Sequence, residues 1–551
     1  PPPPPPPTPR SPMDPLLPRR GLHPAPNRIL ARKSARANIV PKTKLQFGQS
    51  SVAWRDHYLE DEVKDDVLGP VFEGDHPYVT ANDFHNFQAA VNKRCNHLDE
   101  VRADPEIIRA GLDLLEKKLP EQWDQIEWTY ELFEAWNEGN PPSKQAAMIE
   151  AIDSFMRYTD KEFGRKEIFA KVEALLKRHK GEDWAPRLVN ASSDLHNALS
   201  GPILVACLKR LNASLTDKQA HPDMKLYIQY AKESNYCSER MNNGPHEFIA
   251  ECDFSENDMR QCKDVQPLEG RFLKRLGAPD WLLKCMSAAN VYTVSSRMHN
   301  FKGTIKYQLP SGSTSTTFRN SIWNMSIFWA WKLRHGVKGT AFFLGDDMIA
   351  KVTWSLFRKS KRGRKDASRS YAHTAKRARM KAKVAIHTHL MEAEFLSKNF
   401  VPSAEHGCLM IPKIGKAFAR FSTRANNNAA VPDLVYLCGK ALSYAWEFRF
   451  VQEVRDACIL KAELTGVDFG TLNLNHFSYN FRREVERLGS IGKVLKSVYG
   501  RTLDWYDLEN FCQVRYHVTW DDIFDIVCEI LAGTSDVPEI AYAELARRDY
   551  W

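Results

Sequence analysis

No stretch of the 551 residues reaches the ~18 consecutive apolar positions that a membrane-spanning helix needs. The most apolar run, 322–333, is short and carries Asn324 and Lys332, so it reads as a buried helix. Eleven cysteines are scattered without one C-x-x-C pair, which argues against a zinc ribbon and a disulfide scaffold and for reduced thiols. His406 and Cys408 stand close together but lack the second pair a metal site would need. There is no G-x4-G-K-[ST] and hence no P-loop, no internal repeat and no secretory-signal pattern. The chain opens on seven prolines without Met and reads as a piece of something longer.

What is present is a basic chain of ordinary globular composition. It has net charge +9, 26% charged and 43% hydrophobic residues. A modest positive excess suits a polyanionic partner without proving one. Residues 1–45, rich in Pro, Arg and Ala, lack hydrophobic periodicity and are expected to be a disordered arm. Residues 46–160 read as a mainly helical extension, with helices at 107–119 and 143–157. Residues 161–420 mix helical and strand patterns and hold the chemistry. Residues 421–551 again read helical.

Residues 341–349, AFFLGDDMI, run from an apolar stretch into Gly345-Asp346-Asp347 and out again. This predicts a strand, a tight turn and a second strand. Two acids at a hairpin tip between buried strands are costly unless they meet a cation. Alone the triplet could be a solvated turn. About ninety residues upstream, FIAECDFSENDMRQ (248–261) predicts a strand ending near Asp253, with Asp258 where a helix should start. Two strand-end carboxylates side by side could bridge two Mg²⁺ ions about 4 Å apart.

Between them, SGSTSTTFRNSIWNM (311–325) predicts a flexible loop at Ser311-Gly312, then a buried helix. Asn320 and Asn324, four apart, would share one helical face and need polar partners, for which a ribose and Asp258 are suitable. Alone, this segment could be a Ser/Thr-rich loop capping a core helix. Upstream, FAKVEALLKRHKGEDWAPRLVN (169–190) carries Lys171, Lys177, Arg178, Lys180 and Arg187. Arg187 is expected on a strand and aimed inward, where cations facing a triphosphate offset its charge. A solvated basic face would look the same.

The order of these four segments resembles that of viral RNA-dependent RNA polymerases of positive-strand RNA viruses. The basic segment is similar to motif F, ECDFSENDMRQ to motif A, SGSTSTTFRNSIWNM to motif B and LGDDMI to motif C. The alphavirus-like and hepevirus-like branch is the nearest in look, with wei-like and tombus-like viruses as neighbours.

The resemblance implies an α+β right hand. It has fingers, a palm with an antiparallel sheet and a helical thumb. Fingers would occupy 161–246, the palm 247–420 (with a fingers insertion at about 270–310), and the thumb 421–551. It implies Asp253 and Asp346 as Mg²⁺ ligands, with Asp347 supporting them and Mn²⁺ as the alternative ion. Asp258, Thr316 and Asn320 would read the ribose 2′-hydroxyl. Ser311 and Gly312 would move with template and nucleotide. Lys171, Lys177 and Arg187 would hold the triphosphate.

Motif D is placed on 391–412, expected as helix, turn and strand, with Lys398 as candidate general acid or else an exposed lysine. Implied partners are an RNA template and product, NTPs and other viral replication proteins, in a replication complex of the host cytoplasm. One departure is a basic run, 358–383, with twelve Lys and Arg against one Asp. It could contact RNA phosphates, mimic a nuclear localisation signal or be a disordered insertion. The rival readings are a reverse transcriptase and a basic, nucleocapsid-like RNA-binding protein.

Overall fold

A computed structural model of the protein describes residues 51–53, 66–73, 77–80, 83–95, 102–154, 160–175, 185–217, 223–354, 361–424, 431–497, 500–533 and 535–550. The expected arm at 1–45 lies outside them, as do Lys177, Arg178 and Lys180. The fold is mixed α+β.

A central five-stranded sheet has the order Lys381–His387, Phe248–Ser255, Asp347–Thr353, Lys338–Leu344, Met224–Ile228. Its pairs are antiparallel except the last, Lys338–Leu344 with Met224–Ile228. Strand periodicity sends alternate residues to opposite faces. Ala250, Cys252 and Phe254 enter the largest core beside Tyr371 and Ala375 of the Lys361–Arg377 helix and Phe318–Trp331 of the Thr316–His335 helix. Ile249, Phe342 and Ile349 face a second core, formed with Phe395, Phe400 and Met410.

The Thr316–His335 helix buries every residue from Phe318 to Trp331. Apolar residues all round its circumference suit a helix enclosed by protein rather than one with a wet face. This is the buried helix the apolar run predicted. Against it packs Pro105–Lys118, started by Asp104, whose side chain accepts the Glu106 N–H.

A second five-stranded sheet has the order Ser51–Ala53, Phe301–Lys306, Val291–Ser296, Arg165–Ala170, Leu188–Ala191. The Phe84–Cys95 helix supplies Phe87 and Val91 to its core. Residues 66–73 cross to the C-terminal helices: Asp66–Val67 pairs with Thr423–Arg424, and Phe72 stacks on Tyr542 at 4.0 Å. The segment 46–160 therefore holds the expected helices, as Pro105–Lys118 and Pro142–Asp153, but also strands joined to distant parts of the chain.

Two local expectations need correction. Residues 391–412 contain no α-helix. A 3-10 turn, Leu390–Glu392, leads into a three-stranded sheet of Glu394–Phe395, Lys398–Ser403 and Gly407–Pro412. The expected strand is present as Gly407–Pro412, while the expected helix is replaced by the turn and the other two strands; Lys398–Ser403 and Gly407–Pro412 carry buried residues on both faces. The described part of the basic run is ordered, as the helix Lys361–Arg377 and the edge strand Lys381–His387. Gly363, Ala367, Tyr371 and Ala375 bury its inner face, so 361–383 is no disordered insertion. Among the described residues no helix is long and apolar enough to cross a membrane.

Candidate active site

Three acids meet at one end of the central sheet. Leu344 pairs with Asp347, so Gly345 and Asp346 form a two-residue turn. Gly345 has φ +61, the positive value that the first central residue of a II′ hairpin turn needs. Met348 pairs with Cys252, which leaves Asp347 and Asp253 level on neighbouring strands. The GDD segment thus makes the expected hairpin, beside the strand that carries Asp253.

The three carboxyls feel one another. Burial, then the charges of Asp346 and Asp253, pushes the Asp347 carboxyl up to about 7. Burial also raises Asp346, with the charges of Asp253 and Asp258 adding and that of Arg187 opposing. Concentrated negative charge of this kind is relieved by a cation.

Among the described residues no group of three or more His, Cys, Asp and Glu is set to hold a metal by itself. The donors are nevertheless carboxylate oxygens only. Mg²⁺ commonly takes one or two such ligands and completes its shell with water and phosphate oxygens. The residues fit that ion.

Asp258 opens a short helix after Asp253. It accepts its hydrogen bond from the Met259 N–H at 3.0 Å and pairs with Arg94 at 3.5 Å. Burial raises its carboxyl despite the Arg94 charge. Glu256, between the two acids, holds φ +60, a left-handed conformation costly for a residue with a Cβ. Lys93 at 3.6 Å and Arg260 at 3.3 Å secure its carboxylate. Arg94 and Lys93 come from 46–160, where the sequence suggested no chemistry. A lone Arg-Lys pair at a helix end carries no local signal of a partner 160 residues on.

The Thr316–His335 helix grips the acidic turn directly. Ser321 Oγ accepts the Gly345 N–H at 2.8 Å, and the Asn324 amide donates to the Gly345 carbonyl at 3.2 Å. Asn324 thus spends its donor on the turn. Asn320 Oδ1 accepts from Gln261 at 3.4 Å, linking this helix to the segment after Asp258. Ser321 and Gln261 were visible in the motifs but not singled out. Thr316 Oγ donates to the Pro310 carbonyl at 3.2 Å.

The Ser311-Gly312 loop is anchored in the ground state. The Ser311 carbonyl accepts the Asn190 N–H at 2.7 Å. Gly312 has φ +98, and a Cβ there would come 3.1 Å from the Asn190 carbonyl oxygen, so glycine is required.

Lys171 and Arg187 converge on Glu173. Arg187 Nε donates at 2.8 Å and its guanidinium makes a second bond to the other oxygen, while Lys171 lies at 3.5 Å. Burial works to raise Glu173, but the Arg187 bond and the two cations outweigh it and hold the carboxyl low. Arg187 stands one residue before the strand Leu188–Ala191 and is exposed, which corrects its expected place on a strand. Its guanidinium is held charged first by Glu173, with Asp346 and Asp258 contributing.

Lys398 lies in the three-stranded sheet. It donates to Ser234 Oγ at 2.9 Å and lies 3.7 Å from Glu447. Burial lowers its amine, with Glu447 opposing. On the central sheet Lys383 is paired directly with Asp253 and is exposed.

A family model for RNA-dependent RNA polymerases matches residues 121–447, more than half of the chain. No curated protein matches it. The match spans every one of these acids, the helix that grips their turn and the Glu173 cluster, and it sets aside the nucleocapsid-like and reverse-transcriptase readings. The chain belongs to the RNA-dependent RNA polymerases of positive-strand RNA viruses, enzymes that join NTPs into RNA on an RNA template.

Proposed function

We propose that the chain elongates RNA by two-metal nucleotidyl transfer at the sheet end carrying Asp253, Asp346 and Asp347. The observation that carries this is the level placement of Asp253 and the Asp346-Asp347 turn on neighbouring strands, within reach of each other's charge. In the right-hand description the central sheet is the palm, the second sheet the fingers and the C-terminal helices the thumb.

Asp253 and Asp346 would hold Mg²⁺, or Mn²⁺ as another ion that accepts oxygen ligands, with Asp347 in support. Bound there, the ions make the 3′-hydroxyl a better nucleophile and neutralise charge on the triphosphate. The chain's own groups do the rest. Ser321 and Asn324 fix the turn, so that Asp346 needs no reorganisation when substrate arrives. Lys171 and Arg187 exchange Glu173 for the triphosphate, and a partly exposed pair can make that exchange at low cost. Asp258, held by Arg94, and Asn320, held by Gln261, present polar groups to the ribose 2′-hydroxyl, with Thr316 beside them. Gly312 lets the Ser311 loop approach the Asn190 backbone and leave it as the template moves.

The proton for the departing pyrophosphate comes from Lys383 in this reading. Directly paired residues of adjacent strands share a sheet face, so Lys383 stands on the Asp253 side. The Lys398 amine is engaged with Ser234 and Glu447.

Binding of Mn²⁺, followed by electron paramagnetic resonance with RNA and a non-hydrolysable NTP present, tests the metal assignment without turnover. Wild type should bind and Asp253→Asn and Asp346→Asn should lose affinity; unchanged binding in both variants would refute it.

A further inference from the structure

The Lys361–Arg377 helix has no part in the site described above, yet it is the most basic of the described helices. Its inner face is fixed. Tyr371 is fully buried, the Trp331 indole donates to Ser370 Oγ at 2.9 Å, and Ser368 Oγ donates to the Val384 carbonyl at 2.8 Å. Arg377 is held by Asp104 at 2.8 Å.

The outward face is different. At ~100° per residue, Lys361, Arg362, Lys365, Arg369, His373 and Lys376 fall within about 140° of arc, with Asp366 at its edge. All seven side chains are exposed. Among the described residues Lys361, Arg362, Lys365 and Lys376 have no acidic partner, and Arg369 has only the exposed Asp366 at 3.9 Å. An ordinary solvated helix face intersperses acids with its bases. This one does so once.

The helix packs in the same core as Ala250, Cys252 and Phe254, the residues that alternate with Asp253. It therefore lies on the face of the central sheet opposite the acids. Its cations are outside the catalytic cleft.

We propose that this face is a second RNA-binding surface, which holds single-stranded RNA by its phosphates outside the catalytic cleft. It extends the RNA-synthesis reading and rests on it only for the identity of the polyanion. Lys361, Lys365, Arg369 and His373 follow one another at four-residue steps, ~6 Å apart along the axis, commensurate with successive phosphates of an extended strand. Binding is mainly electrostatic and indifferent to sequence, because the arc offers no Phe, Tyr or Trp ring on which a base could stack. A membrane surface fits less well. Interfacial helices bury an apolar face in lipid, and the apolar face of this helix is already spent on the protein core.

The test uses the full chain and the triple variant Lys361→Ala, Lys365→Ala, Arg369→Ala, which removes exposed side chains and should leave the fold intact. Anisotropy of a labelled 30-nucleotide single strand, titrated over a series of salt concentrations, reads the number of phosphates engaged. Losing three contacts should flatten the plot of log affinity against log salt by about 2, from ~0.7 per phosphate on a single strand. Extension of a short pre-annealed primer-template should stay near wild type. An unchanged salt slope would overturn the proposal. So would equal loss of short-template extension, which would put these cations in the cleft. Loss of binding to phosphatidylserine vesicles with RNA binding intact would assign the surface to a membrane instead. Extension by wild type and by Asp346→Asn, run alongside, reports on the polymerase reading separately.

Discussion

Ser321 decides more than its size suggests. Its hydroxyl donates to the Thr317 carbonyl and accepts from Gly345, so one side chain ties the long buried helix to the acidic turn. Ser321→Ala leaves a turn N–H without its partner, at a cost of ~1–3 kcal/mol. If half of that falls on the position of Asp346, extension slows by about two- to tenfold. Steady-state extension beside a thermal melt checks it, and a full-rate variant would remove Ser321 from the site. Asp258→Ala should raise dNTP use relative to NTP use by about tenfold or more, since losing a hydrogen-bonding group aimed at a hydroxyl relaxes selection for that hydroxyl. Competition between CTP and dCTP in single-nucleotide extension measures the ratio, and an unaltered ratio would take Asp258 out of sugar selection.

The acidic turn beside Asp253 was legible because acids placed at the ends of apolar strands conflict with burial, a conflict that a cation relieves. Arg94, Glu173 and Ser321 were not legible as partners. Their roles come from tertiary neighbours, and nothing in their own segments breaks a local rule.

Among elements, the Arg165–Ala170 strand carries an informative exception. Its burial alternates, and the first residue of the buried set, ahead of Ile168 and Ala170, is a lysine, Lys166, donating to Ser192 Oγ at 2.7 Å. Burial, then the Arg319 charge, brings its amine down to about 7. The folded value lies below the unfolded one, so between pH ~7 and ~10 the unfolded chain binds more protons and stability rises with pH. The urea midpoint of the wild type should therefore climb from pH 7 to 9 more steeply than that of Lys166→Met. Parallel curves would contradict the buried, partly neutral lysine.

Helix and strand identity was legible where periodicity was sustained over a dozen residues, as in Thr316–His335 and Pro105–Lys118. It failed in the first part of 391–412, where a 3-10 turn and short strands stand in place of the expected helix, and at 358–383, where charge hid an amphipathic helix. There Ala367, Tyr371 and Ala375, four apart, were the available signal, and twelve cations drew attention from them.

On the scale of the molecule, the chain closes on itself through contacts that no local pattern announces. Residues 66–73 dock on the C-terminal part of the chain. There the Tyr542 hydroxyl donates to the Glu73 carbonyl at 2.9 Å and Val71 N–H to Asp536 at 3.2 Å. Arg515, Tyr516 and the fully buried Asp549 then fasten the last helix, and Asp549 accepts the Gly415 N–H at 2.7 Å. Lys416, next to that contact, is one of the charges acting on Asp347. The C-terminal body thus places one positive charge, that of Lys416, within electrostatic reach of the acids.

The measurement that tests the account most directly is primer extension on a short RNA template with labelled NTPs and Mg²⁺, comparing wild type with Asp346→Asn. Removing a ligand worth several kcal/mol of charge stabilisation should slow incorporation by about a thousandfold or more. RNA affinity should be unchanged, because the basic surfaces are intact. Wild-type incorporation with an inactive variant that still binds RNA is the predicted result. Equal incorporation by the two proteins would contradict the assignment of catalysis to the turn at Asp346.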